Sequence, residues 1–389
     1  MWLPLGSAYG QASELREFTQ MTRIVHIFTV PLSLGFLRGQ ARELRRHGYD
    51  VTVITSPGEA LEAFGRDEEC RVVAIEMARR IAPISDLRAL AQLVGALREL
   101  RPEIVHAHTP KGGLLGMIAA KIAGTPVRIY HMRGLPFVTQ RGWRRATLRL
   151  TERLSASLSS RVIAVSASLR RVAVDSQICA PDKIVVLLGG SGQGVDARGT
   201  FNPSRYPPKA RASLRASVDI PQDARVVGFV GRLVRDKGVV ELYDAWCKLR
   251  ETYDDAHLVL VGAPEPRDPV PQEVLDALAR DPRVRMAGHM DEPAPWYALM
   301  DVVALPTYRE GFPNVPLEAA AMGLPVVATV VPGCVDAVVD GVTGTLVAPG
   351  ASDALATAIE AYLTDPSLAA SHGAAGRDRA LRLFQRENI

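Results

Sequence analysis

Hydrophobic positions along the chain fall into short β-branched runs separated by longer amphipathic stretches. The first clear run is Arg23–Val30, followed by a helical pattern from Ser33 to His47 that Gly48 ends. Further strand-like runs lie at Val51–Thr55, Arg71–Met77, Ile104–His106, Val127–His131, Val162–Val165 and Ile184–Leu187. Helical patterns lie between them, notably at Asp86–Arg101, Gly112–Ala123 and Trp143–Ser157. A Gly-rich stretch, Gly189–Asp196, runs into Pro203, Pro207 and Pro208 and reads as an interdomain linker. The same grammar then restarts at Arg225–Val230. Strands follow at His257–Val261, Val284–Met286, Val302–Leu305, Val326–Thr329 and Thr345–Val347.

Short buried strands alternating with helices predict an α/β protein with parallel sheets wrapped on both faces. Two such cycles predict two doubly wound, Rossmann-like domains facing each other across a cleft. The boundaries read as a disordered leader over 1–20, a first Rossmann-like domain over 21–195 and a linker over 196–222. A second Rossmann-like domain over 223–375 and the start of a return helix over 376–389 complete the chain. Met21, just before the first strand, is a second candidate start. In such sheets ligands bind beyond the carboxyl ends of the strands, and the motifs below all fall at strand ends.

Charge sharpens this division. Residues through Val195 hold 26 Lys/Arg and 16 Asp/Glu, a net +10, and the remainder holds 20 and 26, a net −6. The basic half suits an anionic membrane surface or a phosphorylated acceptor. No interleaved aromatic and basic motif supports nucleic acid. The four cysteines, Cys70, Cys179, Cys247 and Cys334, form no C-x-x-C pair, which fits a reducing cytosol better than a zinc site or disulfide framework. No apolar run is long enough to span a membrane, and residues 1–20 lack the pattern of a secretory signal.

Three stretches carry chemistry. In Glu310-Gly-Phe-Pro-Asn-Val-Pro-Leu-Glu318, Asn314 is placed to cap a helix with Pro316 in its first turn. Two carboxylates then flank a helix N-terminus suited to phosphate oxygens. In Gly228–Gly238 a strand ends at Gly231, and Arg232 and Lys237 can converge on one anion at the next helix start. In the first half, His106-Ala-His-Thr-Pro-Lys111 and Ile129-Tyr-His-Met-Arg-Gly134 follow buried-looking strands. His131 is placed to project into the cleft, with His106 and His108 as weaker candidates. Gly35 after the first strand can admit a ligand close to the backbone. For each of these residues, a structural role as cap, solvated charge or core histidine is the alternative.

Gly231-Arg232…Lys237-Gly238, Glu310 and Glu318, and Pro332-Gly-Cys…Gly341-Val-Thr-Gly344 together resemble family 4 of the retaining glycosyltransferases, which have the GT-B fold. Gly35–Gln40, His106–Lys111 and Tyr130–Gly134 resemble its capsule, exopolysaccharide and O-antigen branch. The resemblance implies a UDP-sugar donor, an N-acetylhexosamine or related hexose as the moved sugar, and a polyprenyl-diphosphate-linked sugar or saccharide acceptor. It implies that Arg232 and Lys237 hold the donor diphosphate, and that Glu318 accepts from the ribose hydroxyls. Glu310 would contact the transferred sugar, with Gly311, Phe312, Pro313 and Asn314 beside it. His131 would approach the reacting centre, and Met290 would flank the base. No metal or other cofactor is expected: no D-x-D triplet occurs, and two fixed cations can do a metal's work.

The segment Arg141–Leu154 mixes arginines with Trp143 and three leucines and is a candidate surface for an anionic leaflet, which would place the protein in the cytoplasm at the inner face of the plasma membrane. An NAD-dependent oxidoreductase is a weaker reading. The nearest glycine fingerprint, Gly190–Gly194, precedes a Pro-rich linker instead of a helix. A non-catalytic nucleotide-sugar-binding regulator would not need the full set Arg232, Lys237, Glu310 and Glu318.

Overall fold

The computed structural model describes residues 21–80 and 82–389; the expected leader over 1–20 lies outside them. The first lobe is a seven-stranded parallel sheet of β1 (Thr22–Ile27), β2 (Tyr49–Thr55), β3 (Arg71–Ala74), β4 (Ile104–His108), β5 (Val127–Met132), β6 (Arg161–Ala164) and β7 (Ile184–Val185). Its order is β3-β2-β1-β4-β5-β6-β7. The second lobe has six strands, β8 (Arg225–Val230), β9 (Ala256–Val261), β10 (Val284–Gly288), β11 (Val302–Leu305), β12 (Val326–Thr329) and β13 (Gly344–Val347). Their order is β10-β9-β8-β11-β12-β13. Both orders reverse direction once, between β1 and β4 and between β8 and β11. These two switch points open the crevices in which a doubly wound sheet binds ligands.

The strands are buried because helices cover both faces of each sheet, which is why they read as nearly unbroken apolar runs. β9 and β12 are buried at every position. Trp246, on the helix Val239–Thr252, is the largest fully buried side chain of the second lobe's core. Its indole N–H donates to Asp281 at 2.9 Å, so the burial leaves no polar group unpaired. In the first lobe Tyr130 is buried flush against Gly113, where any β-carbon would lie 2.3 Å from the ring. Its hydroxyl donates to the buried Glu152 at 2.7 Å.

One expectation changes. The helix read over 33–47 is a 3-10 segment, Pro31–Leu37, followed by a separate helix, Gln40–Arg46. Gly39 at φ +83° breaks it, a conformation glycine takes at little cost. The linker holds regular structure, the helix Pro208–Ser217. Buried Arg215 pins that helix to the second lobe by donating to the carbonyls of Gln222, Ala224 and Leu299. The last helix, Pro366–Leu383, packs against Asn314–Ala321, and the chain then crosses back, with the Val195 N–H donating to the Phe384 carbonyl at 2.7 Å.

Candidate active site

The second lobe's switch point brings β8 and β11 side by side. The loop after β8 carries Lys237, and the loop after β11 carries Glu310. Their side chains form an ion pair, with Lys237 19% and Glu310 12% exposed. Gly238, at φ +72°, turns the chain into the helix Val239–Thr252. It lies so near the Pro306 carbonyl that a β-carbon would sit 2.0 Å from that oxygen. The close approach lets the two loops meet.

Past Glu310, the buried Gly311, Phe312 and Pro313 lead into the helix Asn314–Ala321. Asn314 is its first helical residue, and Pro313 stands at the cap position without a side-chain bond. The expected asparagine cap is therefore corrected, and the first N–H groups of this helix have no capping oxygen from that residue. Glu318 faces Tyr297, whose hydroxyl donates to it at 2.8 Å. Burial raises the Glu318 carboxyl above its usual range, and the tyrosine hydrogen bond opposes the shift. Nothing in the local pattern marked Tyr297 as its partner.

Arg232 takes a different partner. Its guanidinium pairs with Glu265 at 2.7 Å and is 49% exposed, so it is not joined to Lys237 and Glu310. Met290 is half-buried against the main core, and Gly35 lies exposed in the 3-10 segment with open space where its β-carbon would be. Phe312 is a packing residue, its ring 5.4 Å from that of Phe384.

At the first lobe's switch point stand four imidazoles. Parallel register aligns His26 of β1 with His106 of β4, and His108 of β4 with His131 of β5. A two-residue period puts His106 and His108 on one face. His26 Nδ1 lies 3.1 Å from His108 Nε2, and His106 Nε2 lies 3.2 Å from His131 Nδ1. Burial lowers all four; His26 falls to about 3, with Arg133 adding to the depression. His131 thus belongs to a buried, neutral ladder, bonded through Nδ1 to His106 while its Nε2 has no partner. Arg133, two residues on, stands at the strand's end, and its Nε donates to His108 Nδ1 at 3.4 Å. Nitrogens of His26, His106 and His108 lie within 4.8 Å of one another, a spacing that could suit a metal. The adjacent guanidinium opposes a cation there, and one nitrogen of each of the three rings is already engaged in a histidine–histidine bond.

The lobes touch directly. The Ser166 hydroxyl donates to the Gly311 carbonyl at 2.7 Å, and the Gly333 N–H donates to Ser168 Oγ at 2.7 Å. Asp336 closes the latch on the Ser168 hydroxyl and N–H. Gly311 itself abuts the first lobe: a β-carbon there would lie 1.9 Å from the Arg133 carbonyl oxygen. Gly311→Ala should therefore hold the lobes apart. We expect kcat/KM for the reaction in this cleft to fall about 10- to 100-fold with little change in Tm. Wild-type kinetics in this variant would mean that turnover does not need so close an approach.

Comparison with known proteins agrees with this geometry. Residues 36–190 match the glycosyl transferase 4-like domain, and residues 224–365 match the glycosyl transferases group 1 model. The chain is 34% identical over 368 residues to the capsular polysaccharide biosynthesis glycosyltransferase CapM of Staphylococcus aureus, covering 94% of each chain. It is 25% identical over 318 residues to the UDP-Gal:alpha-D-GlcNAc-diphosphoundecaprenol alpha-1,3-galactosyltransferase of Escherichia coli, covering 80% of each. Among solved structures, Anabaena HepE in complex with UDP-glucose superposes with a TM-score of 0.77 at 22% identity, over 94% of this chain and 96% of that one. Sucrose-phosphate synthase of Thermosynechococcus elongatus gives 0.78 at 23%, with the same coverage. The two facing parallel-sheet lobes are thus the GT-B fold, and the chain belongs to family 4 of the glycosyltransferases, in its capsular polysaccharide branch.

Proposed function

We propose that this enzyme moves a hexose or N-acetylhexosamine from a UDP-sugar to a hydroxyl of a lipid-linked or saccharide acceptor in surface polysaccharide synthesis. We propose further that the anomeric configuration is retained and no metal is required. The observation that carries this reading is the Lys237–Glu310 pair, set at a sheet switch point beside the N-terminus of Asn314–Ala321. The barrier in such a transfer is departure of a diphosphate with growing negative charge. A fixed ammonium and a helix N-terminus oppose that charge without ordering water at the moment of reaction. The acceptor oxygen bonds to the anomeric carbon as the bond to the phosphate oxygen breaks, and the acceptor proton passes to that departing oxygen. Glu318, oriented by Tyr297, accepts from the ribose hydroxyls. Arg232 reaches the diphosphate by leaving Glu265. The names of the relatives support donor and acceptor class: one uses UDP-Gal on a diphosphoundecaprenol-linked sugar, and HepE is seen with UDP-glucose.

A panel of nucleotides tests the class and the base. UDP should raise Tm, GDP and NAD should not, and nucleotide-sugar turnover should depend on acceptor. Stabilisation by NAD alone would favour a dehydrogenase. Binding with no turnover on any acceptor would favour a regulator.

We also propose that the first lobe rests on the inner face of the plasma membrane. Among the described residues no helix is long and apolar enough to cross a membrane. The helix Gly142–Leu158 turns Glu152, Ser155 and Ala156 inward and leaves Trp143 70% and Leu150 66% exposed among arginines. An apolar stripe in a basic surface suits an anionic leaflet, at about 1 kcal/mol per arginine near it. The protein should sediment with phosphatidylserine vesicles at low salt and detach at high salt. Equal sedimentation after serine replaces Arg141, Arg144, Arg145 and Arg153 would refute this.

A further inference from the structure

Arg133 presents an unanswered charge. It follows β5 directly, at the carboxyl end of the first sheet, and among the described residues no carboxylate lies within ion-pair distance of it. Its hydrogen bonds are few and long, 3.4 Å to His108 Nδ1 and 3.4 Å to the Gly192 carbonyl. Its Nη2 is buried without a partner. The guanidinium carbon lies 4.5 Å from the centre of the Phe36 ring, and the surrounding imidazoles are neutral. Burial pulls its pKa down to about 9. A desolvated cation with five N–H groups and only two weak acceptors is costly. Such a cation persists where a ligand brings the missing anion. Arg133 is also well placed for one: its backbone carbonyl touches Gly311, the residue that leads into Asn314–Ala321.

We propose that Arg133 binds a phosphate oxygen of the substrate, a contact made from the first lobe when the cleft is loaded. The guanidinium fork matches phosphate geometry, and its Nη2 supplies the free donor. The inference rests on the phosphorylated substrates proposed above and adds a residue to that site. Two sources share this chemistry, the donor diphosphate and a phosphate on the acceptor.

The test uses the full-length wild type, Arg133→Gln and Arg133→Lys. UDP affinity is measured by calorimetry, and transfer is measured to a polyprenyl-diphosphate sugar and to the same sugar as a phosphate-free glycoside. If Arg133 holds the donor, Arg133→Gln weakens UDP binding about 10- to 100-fold, whichever acceptor is present. If it holds the acceptor, UDP affinity is unchanged, and KM for the diphosphate acceptor rises about 10-fold or more while the glycoside's does not. In either case Arg133→Lys recovers part of the loss. UDP affinity unchanged, with equal losses or no loss on both acceptors, overturns the inference and leaves Arg133 a strut for Gly192 and Phe36. Tm values identify a variant that fails to fold, and Arg133→Lys, which keeps the charge, then decides by the same two readouts. A wild type that neither binds UDP nor turns over a nucleotide sugar overturns the proposed function and this inference together.

Discussion

Lys237→Met should lower kcat/KM for sugar transfer by a factor on the order of 10² to 10³. The ammonium is the cation joined to Glu310 at the second lobe's switch point, beside an uncapped helix start. Removing it takes away a preorganised positive charge where the leaving diphosphate gathers negative charge. It also strands Glu310, which is only 12% exposed, so stability should drop by about 1–3 kcal/mol. The two effects separate in the double variant Lys237→Met/Glu310→Gln. Neutralising Glu310 should restore stability and leave transfer slow. Chemical denaturation and steady-state kinetics on the same three proteins give both readouts. Recovery of activity in the double variant would show that Lys237 serves only to neutralise Glu310.

Acid should destabilise the first lobe from about pH 6.5 downward. The four imidazoles of the ladder are held neutral by burial, so their folded pKa values lie below the unfolded 6.5. A group depressed in this way contributes stability that is complete above its unfolded pKa. That stability is lost as pH falls toward the folded value, because the unfolded chain takes up protons first. His26, with a folded value of about 3, accounts for about 1.4 kcal/mol per pH unit over that window. The other three steepen the loss. Buried Glu152 works against them: burial pushes it up to about 7, so it adds stability as pH falls through 7 toward 4.5. Glu318, also raised, acts in the same sense. Four groups against two leave a net loss on acidification. Urea unfolding between pH 7.5 and 5 should show it, Glu152→Gln should steepen it, and His26→Gln should blunt it. A level profile would mean that water reaches the imidazoles in the folded state.

The alternation of strands and helices was legible residue by residue. β8, β11 and β12 fall where the β-branched runs place them, because a doubly covered parallel strand must be apolar throughout. The motif loops after β8 and β11 were legible for the same reason, since a strand that ends must turn, and a glycine or a charged residue marks the turn. The helix read over 33–47 failed because its apolar spacing hid the left-handed turn that Gly39 makes. Asn314 failed as a cap because Pro313, held near φ −73°, already provides the extended residue before the helix.

By itself, then, the chain's pattern determined two parallel-sheet lobes and the loops that carry reactive side chains. Each of those follows from contacts within a few residues. Only the tertiary structure decided who meets whom: Glu265 with Arg232, Tyr297 with Glu318, His26 with His108, and Gly311 with the Arg133 carbonyl. These partners lie 33, 21, 82 and 178 residues apart. Strand order and lobe closure bring them together, and local periodicity carries no information about either.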